Sequence, residues 1–236
     1  MIHKTIEKDL HNEFVKLKTE LKLHLEADFD INQKKEFLKS HIPKEVVYKS
    51  KLLLDTLLNY LMDQADKDLE KADIELQNKF FEADFRKRSK EWTTQIENRL
   101  ELDSGIVKYS TDPRLKQGLI TGGIPFVVGS IITGVVSVKT KTVATVASKT
   151  VVSFSPYIVA GAIVAGLATI IISTLAFKKA YDKAAPKSLE TIKADIDKYL
   201  ENAEMQVKGW LKSVIEAFNN DFIEFCSSNG FKLEGK

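Results

Sequence analysis

Cysteine is nearly absent from this 236-residue chain, proline occurs five times, and no glycine precedes Gly105. The single thiol, Cys226, excludes an intramolecular disulfide and fits a thiol-reducing compartment. It lies in an aromatic-rich helical stretch with no His or Asp neighbour in sequence, which reads as a core thiol. His3, His11, His24 and His41 are spaced too widely for a local zinc motif. Gly122-Gly123 sits inside an apolar stretch without a following Lys-Ser/Thr, so no Walker-type phosphate loop is present. Met1-Ile2-His3-Lys4 leads directly into charged sequence, and the expectation is that no secretory leader is encoded. No catalytic constellation emerges, so the chain reads as a non-enzyme with no cofactor and no metal site.

What is present is strongly partitioned. Residues 1–104 carry 19 Lys/Arg against 22 Asp/Glu, residues 105–187 carry 10 against 2, and residues 188–236 carry 6 against 9. Seven of the eleven glycines fall between Gly118 and Gly166. A single water-facing core does not separate charge and glycine in this way, so two solvents are implied.

The charged ends read as helices, and the fold class is all-α. Ile6, Leu10, Phe14, Leu17 and Leu21 step by three or four, which is one face of an amphipathic helix. Asp28-Phe29-Asp30-Ile31-Asn32 offers turn and cap chemistry, with a short helix to about His41 and a break expected at Pro43. From Lys44 to about Leu102 there is neither Gly nor Pro, and one helix of that length would measure about 90 Å. Its apolar positions Leu54, Leu58, Leu61, then Ala65, Leu69, Ala72, then Leu76, Phe80, Ala83 recur every eleven residues. An eleven-residue repeat is nearly commensurate with a straight helix and implies a packing partner, within the chain or in another copy. Ser188 reads as the N-cap of a helix whose face is Leu189, Ile192, Ile196, Tyr199, Ala203, Val207, Trp210, Val214, Phe218, Phe222 and Phe225, ending at Asn229-Gly230. The organisation expected is therefore a long-helix region at 1–104, a linker at 105–117, a hydrophobic hairpin at 118–177, and a C-terminal helix within 178–236 that packs back on the first region.

The hairpin is the informative part. No charge occurs from Gln117 to Val138 or from Thr150 to Phe177, runs of 22 and 28 residues. A bilayer core takes about 20 apolar residues, so spans are expected near 118–138 and 156–177. Gly118, Gly122, Gly134, Gly161, Ala162 and Gly166 supply small residues at four-residue spacing, which lets helices approach closely in lipid. Thr121, Ser130, Thr133 and Ser137 offer hydroxyls along the first run and are candidate pore-lining residues. Lys108, Arg114, Lys116, Lys178, Lys179, Lys183 and Lys187 flank the pair, whereas the connector holds Lys139, Lys141 and Lys149. The positive-inside rule then places both termini in the cytoplasm of a multi-pass inner-membrane protein. Two other readings remain open: a hairpin buried in a soluble bundle, and a β-hairpin within the Val-, Thr- and Ser-rich stretch 135–152. A basic cluster, Arg86, Lys87, Arg88 and Lys90 beside Trp92, is a candidate nucleotide or nucleic-acid contact, set against the plainer reading of a solvated helix face.

The paired runs 117–138 and 150–177 between long charged helices resemble the small two-span effectors of bacterial anti-phage defence, among them the channel-type effector of the Hailong system. The resemblance implies an oligomeric channel that depolarises the infected cell, controlled by a nucleotide or short DNA oligomer made by a partner enzyme. It transfers no ligand-binding residue. Two alternatives share the layout. One is a soluble α-helical pore-forming toxin that inserts its hydrophobic tongue on contact with a membrane. The other is a non-conducting, membrane-anchored coiled-coil scaffold. The partners common to these readings are membrane lipid and further copies of the chain.

Overall fold

The computed structural model describes residues 2–26, 30–82, 157–183 and 188–233, with 85, 87, 90 and 91. Among them the secondary structure is helical, with no strand: α1 (Ile2–Glu26), α2 (Ile31–Leu69), α3 (Ile74–Glu82), α4 (Tyr157–Lys183) and α5 (Leu189–Ser228). The stripe expected of α1 is buried in full, and Leu25 extends it. Asp30 starts α2 through a capping box. Its carboxylate accepts the Asn32 amide at 2.6 Å, and the Gln33 side chain accepts the Asp30 amide at 3.4 Å.

Two sequence expectations fail in this region. Pro43 does not break the chain; it lies inside α2, which runs on to Leu69. Proline in a helix interior costs about 3 kcal/mol, because it removes one hydrogen bond and crowds the preceding turn. The neighbours offset that cost. Leu38, Ile42, Val46 and Val47 are all within 3% of full burial around it, and each large aliphatic contributes about 1.5–3 kcal/mol. The uninterrupted helix from Lys44 to Leu102 is also wrong. The chain turns at 70–73, where Glu70 and Ala72 amides reach back to Lys67 and Leu69 carbonyls. Asp73 then caps α3 by accepting the Leu76 amide at 2.7 Å, and the Gln77 amide nitrogen donates to Leu69 and Ala72 carbonyls at 3.1 Å. Polar side chains thus end a helix without glycine or proline. Of the eleven-residue stripe, Leu54, Leu58, Leu61, Ala65, Leu69, Leu76 and Phe80 are buried, Ala72 is half-buried at the turn, and Ala83 lies outside the described residues.

The C-terminal helix forms as its pattern predicts. Ser188 Oγ accepts the Thr191 amide at 3.3 Å. At the other end Gly230 takes φ 78°, while the Phe231 and Gly230 amides bond the Cys226 and Ser227 carbonyls at 2.9 and 3.0 Å. That is a Schellman closure, which requires the left-handed residue that glycine supplies.

Helices α1 and α4 each pack on both α2 and α5, which also touch one another. Helix α1 runs antiparallel to α2, with Glu13 bound to Lys49 at 2.8 Å and the Tyr60 hydroxyl donating to Asp9 at 2.9 Å. It runs antiparallel to α5 through Glu7–Lys208, His11–Glu204 and Lys18–Glu201 contacts at 3.2, 3.2 and 3.5 Å. These exposed pairs set register more than stability. Beyond the turn, Phe80 meets Phe222 and Phe225 with ring centroids 5.3 and 5.9 Å apart, and Phe85 meets Phe218 at 5.4 Å. Phe85, just past α3, meets an earlier residue of α5 than Phe80 does, so the chain reverses its sense against α5 after residue 73.

Phe14 is fully buried and Leu23, on the same helix, is 65% exposed. Phe14→Ala is expected to cost about 3–5 kcal/mol and Leu23→Ala under about 0.5 kcal/mol in urea unfolding followed by circular dichroism. Equal costs would show that α1 buries a different face.

Candidate functional site

Helix α4 contains the uncharged run 157–177 and ends in Lys178, Lys179, Asp182 and Lys183. Among the described residues, no helix is long and apolar enough to cross a membrane. The structure assigns its most apolar face to protein. Val159, Ile163, Leu167, Ile170 and Ile171 form a stripe at helical spacing that is at most 2% exposed, turned into the groove between α2 and α5. Thr174 continues the stripe and satisfies its hydroxyl within the helix by donating to the Ile171 carbonyl at 2.7 Å.

Three contacts with α5 fix the antiparallel register. At the start of α4, Asp221 Oδ2 accepts the Val159 amide at 3.1 Å, and the Ile158 amide also bonds this carboxylate. These are first-turn donors with no partner inside their own helix, so Asp221 is an N-cap supplied by another helix. In the middle, Trp210 Nε1 donates to the Ala162 carbonyl at 3.0 Å. Its indole occupies the space a side chain would take at Gly166: a Cβ there would stand 1.7 Å from Trp210 Cδ1. Near the end, Phe177 stacks on Tyr199 with centroids 4.0 Å apart and planes 22° from parallel. Burial pushes the Tyr199 hydroxyl above its ordinary range, so it stays protonated.

Asp221 is the anomalous member. It is a carboxylate at a buried register position, 8% exposed, between Phe218 and Phe225 on the apolar face. Burial pushes its carboxyl up from 3.8 to about 6, nearby Glu224 adds to the rise, and the two α4 amides oppose it. Reading Trp210 only as one more apolar residue of the stripe, and passing over Asp221, missed both anchors. The signal available was a charged residue in phase with the buried face.

Of the residues singled out in the sequence, Gly161, Ala162 and Gly166 lie on α4 and are half-buried. Ala162 and Gly166 meet Trp210. Lys87 and Lys90 are exposed helical positions. Arg86, Arg88, Trp92, Gly118, Gly122, Gly134, Thr121, Ser130, Thr133 and Ser137 lie outside the described residues, as does the whole first uncharged run. Among the described residues no group of three or more His, Cys, Asp or Glu side chains is arranged to hold a metal ion. Compared with protein-family models, with curated proteins and with solved structures, the chain matches none.

Gly166→Ala must displace the indole and break the Trp210–Ala162 bond. In a Trp92→Phe background, where Trp210 is the remaining tryptophan, its emission is expected to shift to longer wavelength with a loss of about 2 kcal/mol of stability. The same change combined with Trp210→Ala is expected to add almost nothing. An unshifted spectrum in the single variant would place the indole elsewhere.

Proposed function

We propose that this protein is a membrane-permeabilising helical effector. It keeps the uncharged segment of α4 sheathed against its own charged helices and delivers that segment, together with 117–138, to a bilayer, where further copies of the chain complete the pore. The observation that carries the reading is the docking of α4 on α5. Between Tyr199 and Asp221, α5 displays Glu201, Glu204, Lys208, Lys212 and Glu216. An Asp, Lys or Arg at the centre of a membrane helix costs about 2.5–3.5 kcal/mol, so the docked pair belongs in water. The run 157–177 itself carries no charge and, at 21 residues, measures about 31 Å.

Leaving the groove exposes five large aliphatic side chains of α4, a cost on the order of 10 kcal/mol in water. A bilayer removes that cost, because lipid chains accept the same surface. The small residues Gly161, Ala162 and Gly166 then become available for close helix–helix contact in lipid. The inserted form therefore reuses the residues that dock the sheathed one.

A second reading is supported by the two uncharged runs and the lysines beyond them: a constitutive two-span channel of the anti-phage effector type, gated by a nucleotide or short DNA oligomer from a partner enzyme. In that protein both spans reside in the inner membrane and α4 is never docked. The two readings separate on expression in bacteria. The sheathed form is expected in the supernatant after alkaline carbonate extraction, and to release dye when added to anionic vesicles. Full retention in the carbonate pellet would favour the constitutive channel. A protein recovered in the supernatant that leaves vesicles intact at every concentration would sink both.

A further inference from the structure

We infer that the charge on Asp221 sets how firmly α4 is held: the docked helix is tightest with a neutral group at position 221 and loosest with a carboxylate. The inference rests on the reading of α4 as a releasable helix, and adds its regulation.

The geometry around the carboxyl carries it. Asp221 accepts from α4 the Ile158 and Val159 amides, first-turn donors of a helix that is uncharged for its next five turns. From its own helix the charged group acting on it is Glu224, which repels it. Among the described residues no charged group of α3 acts on it, and that helix contributes the Phe80 ring to Phe222 and Phe225; past α3, where Phe85 meets Phe218, Lys87 is exposed and Arg86 and Arg88 lie outside the described residues. No charged group of α2 acts on it among the described residues, and none of their Lys, Arg or His side chains pairs with it. Two amide bonds and the positive end of the α4 dipole favour the anion. Removal of the carboxylate from water, together with Glu224, opposes it and prevails.

The sign follows from linkage. Burial pushes the carboxyl up to about 6 when α4 is docked, and it falls back towards its ordinary value as α4 leaves and water reaches it. The docked form therefore binds the proton more tightly, and lowering the pH from about 6 towards 4 strengthens docking. At neutral pH the buried anion is a standing cost, relieved only by departure of α4. The sheathed protein is thus poised at neutral pH and locked in acid, the reverse of a device that inserts on acidification.

The test is hydrogen exchange of the full chain read by mass spectrometry on the peptide spanning 158–177, from pH 4.5 to 7.5, after correction for the intrinsic rate. Wild-type protection is expected to rise as the pH falls, by up to about a hundredfold. Asp221→Asn keeps an acceptor for the Val159 amide without the charge, and is expected to hold the acid-level protection at every pH. Asp221→Ala loses the cap and is expected to be weakly protected throughout. Amides of α1 serve as the reference, since their protection must stay unchanged for the variants to count as folded. A wild-type slope persisting in Asp221→Asn, or protection that falls on acidification, overturns the inference. Dye release from vesicles is recorded on the same samples. If exchange follows Asp221 and no dye escapes, the latch stands and the membrane reading falls; if dye escapes and exchange ignores Asp221, the reverse holds.

Discussion

The apolar stripe of α4 must be covered, and that constraint organises the molecule. Helix α5 answers it with one face while offering another to α1, so a single 40-residue helix carries both the charged ladder to α1 and the apolar seat for α4. Helix α2 closes the groove from the other side. The aromatic cluster of Phe80, Phe85, Phe218, Phe222 and Phe225 anchors the end of α5 from which Asp221 reaches across.

Much of this architecture was legible as periodicity. The stripes of α1 and α5, the Asp30 and Ser188 caps and the glycine stop at Gly230 are local features, and local sequence determines them. The eleven-residue repeat picked out the buried face at seven of its nine positions, from Leu54 to Phe80. It failed as a statement about continuity, because the turn at 70–73 is made by Asp73 and Gln77 hydrogen bonds rather than by glycine or proline. Pro43 failed in the opposite direction: a local breaker was overruled by the burial of Leu38, Ile42, Val46 and Val47, which belongs to tertiary packing and cannot be read from a dipeptide.

The candidate site was half legible. The uncharged run of α4 stood out, as did Ala162 and Gly166 as small residues suited to close approach. What they approach did not, because hydropathy states a demand for cover without naming the cover. Small residues at four-residue spacing serve an indole from α5 as well as a neighbouring helix in lipid. Asp221 was hidden for a related reason: a carboxylate within an amphipathic helix looks solvated until the incoming helix end turns it into a cap.

The order of α4 and α5 along the chain has a consequence during synthesis. Helix α4 is complete at Lys183, but the carboxylate that caps it is Asp221, 38 residues later. At about 5–20 residues per second, the apolar helix precedes its anchor by roughly two to eight seconds. During that interval the groove between α2 and α5 is incomplete, and the apolar stripe of α4 lacks the cover of a helix that has not yet been translated. The pace of translation across 184–221 therefore sets how long the stripe of α4 waits for its cover.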